Sequence, residues 1–365
     1  MPDTLRPCQR EDIPAVAGMF ARVFQKQRGA PSAALVQYFD KLVFDGALHA
    51  GEARSRVFLD ESGTVSGFIG VWPRPMVLDG RHVDAAAAGS LMVERPEQHP
   101  TAGARLLRSF LSGPQEFSFS ETSNALSQRM WEKAGGHRLT ATSVDWVRIL
   151  RPAGLLTSLA GGAFSPAGWF APLAKVTDRI LLAKWKPRFL SVPGLEGFSD
   201  KDASAQQIAA AIAELSDSYN LHPDWHMPDL PALMEHAETK ERFGRIHRRI
   251  VSDRNGALAG CYIYHAEAGS IARVLQLVAR PDAVGMTLDS LLRDAAALGC
   301  VGVRGRSEFD MLDPLIVRGC MLFHVSAMMV HARDKSLLAE VSNARSMLTG
   351  LAGESWTRLI GGKFD

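Results

Sequence analysis

The chain has 365 residues and only four cysteines, with no close pairing and no CxxC motif. Cys261, Cys300 and Cys320 lie in apolar surroundings, the setting of buried free thiols, and a reducing, cytoplasmic location is the expectation. Charge of one sign is missing too: 41 Lys+Arg stand against 39 Asp+Glu, a formal net charge of +2. The two signs are interspersed, which argues against a dedicated nucleic-acid binder. The opening residues, MPDTLRPCQREDIP, lack a basic-then-apolar targeting signal. No Walker loop, Rossmann fingerprint or Ser-His-Asp elbow is present. One uncharged run, Ala153 to Ala174, is long enough to span a bilayer. Its glycines, Pro166, Pro172, Thr157, Ser158 and Ser165 replace the dense Leu/Ile/Val of a spanning helix. Lys175, Arg179, Lys184, Trp185, Lys186 and Arg188 follow. Residues 153–188 are therefore expected to connect two halves of the molecule, with a weak membrane-surface contact as the alternative.

What is present is an ordinary globular composition, 46% hydrophobic, at a length that predicts two domains. The first half shows a short strand over residues 4–10 and a helix with an apolar stripe at Ala15, Met19, Phe20, Val23 and Phe24. A second helix is predicted over Ala33 to Leu48, and strands over Arg56–Asp60 and Val65–Met76. A hairpin signal follows at Asp79-Gly80, and then a strand from Val83 to Val93. The stretch SLMVERPEQHPTAGARLL, Ser90 to Leu107, organises this half. Arg95-Pro96 ends the strand, because proline cannot donate to the ladder. The small residues Thr101, Ala102, Gly103 and Ala104 then open a helix at Arg105-Leu106-Leu107. A helix start with small side chains leaves amide N–H groups open to an anion such as a pyrophosphate.

This stretch resembles the coenzyme-A loop of the GNAT acyltransferases, whose pattern is strand, proline, then Arg/Gln-x-x-Gly-x-Gly/Ala opening a helix. Counted from the proline, His99, Ala102 and Ala104 take the three positions. Counted back from Leu106-Leu107, Gln98, Thr101 and Gly103 do. Downstream, FSFSETSNALSQRMWEKAGGHRL resembles the family's next strand and helix, with Asn124, Ala125, Ser127, Trp131, Glu132, Lys133 and Gly135 matching in order. The second half repeats the first. LMVERPEQ at 91–98 corresponds to QLVARPDA at 276–283, and residues 120–139 to SEFDMLDPLIVRGCMLFHVS at 307–326. In that half a helix is predicted over Ala205–Leu215. Strands are predicted over Arg245–Ser252, Ala257–His265 and Ile271–Val278, and the segment Phe323–His331 is expected to close the second sheet.

The resemblance implies an α/β (α+β) protein of two tandem GNAT-like domains, each a mixed, mostly antiparallel sheet flanked by helices. The expected division is an acyl-CoA-binding domain at 1–150, a connector at 151–195, a degenerate GNAT-like domain at 196–340 and a tail or helix at 341–365. The degenerate copy has a lone Gly285, and its Asp282 and Asp289 would repel a pyrophosphate. The implied cofactor is acetyl-CoA or another acyl-CoA. Its expected contacts are Met92, Val93, Glu94, Gln98, His99, Thr101, Ala102, Gly103, Ala104, Arg105 and Asn124. Phe24, Tyr38 and Phe39 are implied to shape the acceptor side. Acyl transfer needs a base for the acceptor and an acid for the thiolate. Many family members use a tyrosine as the acid, where this chain has Trp131, an N–H donor far too weak for that role. Glu94 and Glu121 are the candidate bases, and Ser127 can place a hydroxyl near the sulfur. The polar cluster His222, Asp224, Trp225 and His226 has i, i+4 histidines, but Pro223 and Pro228 break the helix a metal pair would need. No metal is expected, and the cluster is expected to line a cleft between the domains. The expected activity is transfer of an acetyl or other acyl group from coenzyme A to an amine of a small molecule or peptide. The alternatives are an inactive scaffold on the same fold and a tRNA-dependent aminoacyl transferase.

Overall fold

The computed structural model describes residues 4–44, 52–152, 197–225 and 229–365. The connector at 153–188, His226 and the end of the second predicted helix lie outside the described residues. In the first half, β1 (Thr4–Pro7), α1 (Ile13–Val23) and α2 (Ala33–Phe44) precede β2 (Arg56–Leu59) and β3 (Val65–Pro73). The segment predicted as one strand to Met76 breaks at Pro73. A hairpin, β4 (Met76–Leu78) and β5 (Arg81–Val83), follows it. Asp79 and Gly80 both have positive φ, 48° and 80°, as a tight hairpin turn requires. Then come β6 (Ala85–Val93), α3 (Ala102–Leu111), β7 (Phe117–Ser123), α4 (Ala125–Lys133), β8 (His137–Leu139) and β9 (Asp145–Ile149). Nearly all of β3 is buried on both faces, because α1 covers one side and α3 the other. The buried stripe of α3, Ala102, Leu106, Leu107, Phe110 and Leu111, follows helical spacing.

The second half begins with β10 (Phe198–Asp202), α5 (Ala205–Ser216), β11 (Leu221–Pro223) and α6 (Asp229–Glu238). It continues with β12 (Arg245–Asp253), β13 (Leu258–Ala266), β14 (Ile271–Ala279), α7 (Val284–Leu298) and β15 (Gly302–Arg306). Last come α8 (Leu312–Val317), β16 (Met321–Phe323), β17 (Ala327–Ala332) and α9 (Lys335–Asn343). α5 starts with a capping box at Ser204 and Gln207.

The two large sheets exchange strands. The first has the order β1-β2-β3-β6-β7-β17-β8, and the second β10-β12-β13-β14-β15-β9-β16. The segment 323–331 therefore does not close the second sheet as the sequence suggests. It divides, β16 pairing with β9 in the second sheet and β17 inserting between β7 and β8 in the first. In return β9, from the first half, inserts between β15 and β16. The exchange is reciprocal, so it preserves the internal repeat while tying the halves together. A third small sheet adds β11 of the second half to the β4–β5 hairpin of the first.

One core runs through both halves. Phe39, Phe68 and Trp72 pack in the same cluster as Ile208, Leu215, Leu233 and Ile263. The last stretch, 344–365, has no helix or strand, yet Met347, Leu348, Leu351, Ala352 and Trp356 are buried. Trp356 stacks edge-on against Trp72 at 5.9 Å and His236 at 5.4 Å. This segment joins the cluster shared by the two halves and reaches the cleft described next.

Candidate active site

The site is made by two strands that part. β6 and β7 are parallel neighbours only at Ala85–Ala87 and Phe117–Phe119. Beyond them, the edge of β6 from Ala88 to Val93 has no partner strand among the described residues, while its other edge stays paired to β3. A bulge bends β6 opposite Ile69, and Ser90 takes a positive φ of 52° there. The parting leaves a cleft of about 190 Å³ lined by Ala88, Gly89, Ser90 and Leu91 on one side and Ser120, Thr122 and Ser123 on the other. Trp72 and Trp131 also line it. The small residues of β6 are needed here: a Cβ on Gly89 would come within 2.9 Å of the Trp72 ring.

At the end of β6 the chain turns through Arg95, with φ 49°, into α3. Pro100 has no N–H, and the amides of Gly103 and Ala104 have no acceptor among the described residues. They stand at the positive end of the helix dipole beside Arg105 and His99, both of which pack on Phe58. An oxyanion fits this place, and a chain carrying amides fits the free edge of β6.

The C-terminal segment closes the cleft on the inner side. Glu354 is 3% exposed and aims its carboxylate at β7. It accepts from the amides of Glu121 at 3.2 Å and Thr122 at 2.9 Å, and from the Thr122 hydroxyl. A bulge in the pairing of β7 with β17 at this point lets two successive amides serve one acceptor. Burial, with Glu121 adding to it, pushes the Glu354 carboxyl up to about 7. The Glu121 carboxylate in turn accepts from the amides of Gly350, Glu354 and Ser355 at 3.0–3.1 Å. A side chain on Gly353 would collide with that carboxylate, so glycine is required for the wrap.

The candidate residues from the sequence fall in five places. Ser127, Asn124 and Phe24 line the cleft. Asn124 also caps α4, its Oδ1 accepting from the Ser127 amide at 2.9 Å. Met92, Val93, Gln98, His99, Thr101, Ala102, Gly103, Ala104 and Arg105 lie along the end of β6 and the start of α3, Ala102 being fully buried. Glu94 stands apart from the cleft lining, and Arg22 holds both its oxygens at 2.6 and 2.9 Å. Tyr38 and Phe39 are core residues, the Tyr38 hydroxyl accepting from the Arg358 amide. His222 and Asp224 line a surface cavity beside the β4–β5 hairpin. Glu354 carried no sequence signal: it lies in a stretch without periodicity and reaches β7 only through the fold.

The second half repeats the parting strands but not the anion site. β14 and β15 pair at Ile271–Arg273 and Gly302–Arg304 and then separate. At the start of α7, however, Arg318 holds Asp289 at 2.5–2.6 Å, and its guanidinium stands where a Cβ on Gly285 would be, 2.8 Å away. The aspartate that would repel a phosphate is thus neutralised, and the arginine that neutralises it covers the helix start.

No protein-family model matches the sequence, and no curated protein sequence matches it. Solved structures do match, at low identity. A GCN5-related N-acetyltransferase from Anabaena variabilis is 12% identical with a TM-score of 0.59, over 91% of this chain and 73% of that one. A protein of Enterococcus faecalis described as a probable N-acyltransferase is 12% identical with a TM-score of 0.57, over 91% and 72%. Eis1 from Mycobacterium abscessus is 14% identical with a TM-score of 0.53, over 93% and 76%. With two mixed, mostly antiparallel sheets, each opened by a parting parallel pair, the chain carries the fold of the GCN5-related N-acetyltransferases in a tandem form.

Proposed function

We propose that the protein transfers an acyl group, acetyl being the simplest, from coenzyme A to an amine, with the coenzyme in the cleft of the first half. The observation that carries this reading is the continuity of three features: the unpaired edge of β6, the free amides of Gly103 and Ala104, and the buried carboxylate of Glu354. The first suits the amide-bearing arm of the coenzyme, and the second its pyrophosphate. The third stands where the strands open. The bound thioester supplies the acyl group. Glu354 accepts the proton that the attacking amine loses as the C–N bond forms and the C–S bond breaks. A carboxyl titrating near 7 suits that role at neutral pH. Ser127 supplies the nearest hydroxyl on α4 for the departing thiolate, since the buried Trp131 offers only an indole N–H.

Calorimetric titration of acetyl-CoA into the whole protein and into Gly103→Asp tests the placement. A Cβ at this position meets only Met130 Sδ at 3.5 Å and Val93 Cγ2 at 3.6 Å, so the fold tolerates the change. The added carboxylate suits the helix start, adding about 0.5 kcal/mol of stability, but it occupies the place of the pyrophosphate. The expected result is micromolar binding by the whole protein and a loss of about a hundredfold or more in the variant, roughly 3 kcal/mol, at a melting temperature no lower than that of the wild type. Absence of binding by the folded wild-type protein would leave the scaffold and tRNA-dependent readings.

A further inference from the structure

A second cavity, of about 530 Å³, lies where β14 and β15 part, and Phe24, Thr122, Asn124 and Ile360 line both it and the first cleft. Its β14–β15 side is strongly cationic. Arg273 and Arg304 are register partners across the parallel pair. Arg273 lies over the Phe243 ring at 5.4 Å, and Arg304 over Phe323 at 5.0 Å. Arg304 is 3.4 Å from Asp145, whereas among the described residues the Arg273 guanidinium has no hydrogen-bond or ion-pair partner. Arg306 adds a third cation, and its donors all go to neutral acceptors, the carbonyls of Thr142 and Ser326 and the Ser326 hydroxyl. The other two carboxylates of the lining, Glu121 and Glu308, offer little to a cation. Glu121 is occupied by three backbone amides, and burial pushes the Glu308 carboxyl up to about 8, which keeps it uncharged at neutral pH. Asp145 acts on both Arg273 and Arg304 but offsets only one of the three positive charges, and like charges opposite one another in a sheet are destabilising unless the remainder is offset. An oxyanion does this with charge-assisted hydrogen bonds from the guanidiniums.

We infer that this cavity holds the acyl acceptor, and that the acceptor is an amine whose far end carries an oxyanion, a carboxylate or a phosphate, bound by Arg273 and Arg304. The role of the amine rests on the acyl-transfer reading, while the anion rests on the arginine pair alone. The amine end passes the wall shared at Thr122, whose hydroxyl binds Glu354, and so reaches the first cleft.

The test measures binding, not turnover. Matched amines are titrated into the full chain by ligand-observed NMR: β-alanine against ethylamine, and phosphoethanolamine against ethanolamine. The anionic member of at least one pair is expected to bind about tenfold more tightly or better, the equivalent of one or more charge-assisted hydrogen bonds. The pair that shows the preference separates carboxylate from phosphate. Arg273→Gln is expected to abolish the preference at an unchanged melting temperature, and Arg273→Lys to keep part of it. Equal binding within both pairs, no binding by any of the four, or a preference untouched in Arg273→Gln overturns the inference. Failure of the acyl-transfer reading has a separate signature, absence of acetyl-CoA binding with the anion preference intact.

Discussion

At the scale of single residues, the chemistry rests on groups that burial has moved away from their usual titration. Glu354 is the first. If it is the base, Glu354→Gln lowers kcat by about 10²–10⁴-fold while leaving acetyl-CoA affinity unchanged. The wild-type rate should rise through about pH 7 as the carboxyl ionises, and the variant should lack that limb. Steady-state release of the thiol at several pH values checks this, with one acceptor throughout because the acceptor amine titrates as well. A variant with wild-type kcat would remove Glu354 from the mechanism. His265 is the second. It is 1% exposed, its Nε2 faces the Ala237 carbonyl at 2.8 Å, and burial pushes it down to about 4 from 6.5. A depressed pKa means that the neutral form is the one the fold holds. Its contribution is full above pH 6.5 and is lost as pH falls towards 4, about 3 kcal/mol in all. His265→Gln keeps a donor for Ala237 and cannot titrate. Between pH 7 and 4, denaturant unfolding should show the wild type losing about 3 kcal/mol more than this variant, and equal losses would contradict the assignment.

At the scale of elements, the parting of β6 and β7 matters most, and α3 and the C-terminal segment complete it. Much of this was legible. Proline at 96, small residues at 101–104 and a helical stripe after them located the start of α3, because such a start needs both an end to the ladder and room for free amides. The two possible registers of the loop could not be separated by counting. The structure leaves the amides of Gly103 and Ala104 free, one from each register, because a helix start exposes consecutive N–H groups whatever the motif. The strand β11 is only three residues long and ends on a proline, too short to show a period, while the apolar stripe of α6 at Leu230, Leu233, Met234 and Ala237 is masked in the sequence by Pro228 and Pro231. The C-terminal wrap was equally silent. Gly350→Ala tests it: Gly350 has φ +66° and its amide is bound to Glu121, so a Cβ there would collide with the Leu275 carbonyl. The variant should lose about 2–3 kcal/mol in a denaturant melt and withdraw Glu354 from the cleft. A loss within about 0.5 kcal/mol would mean that the wrap is not what holds Glu354.

At the scale of the whole molecule, the reciprocal exchange of β9 and β17 makes each sheet depend on both halves. Without residues 197–365, β7 loses one of its two neighbours, β17, and β8 loses all its pairing. Without residues 4–152, β16 loses β9 in the same way. Exposed edges of this kind associate. Fragments divided between residues 153 and 196 should each be insoluble alone and soluble when expressed together, as size-exclusion chromatography would report. A soluble monomeric fragment on its own would show that the exchange is dispensable.

The sequence by itself determined the local events: strand ends at prolines, the Asp79-Gly80 hairpin, the open start of α3 and the repeat of the strand-proline-helix order in the second half. Each depends on backbone chemistry within a few residues, so each leaves a trace in order and spacing. The tertiary structure alone decided which strand joins which sheet, that Arg318 covers the second helix start, that Glu94 is held by Arg22, and that Glu354 enters the cleft. Those outcomes depend on contacts between segments tens to hundreds of residues apart, where burial and charge pairing select the partner and local pattern is silent.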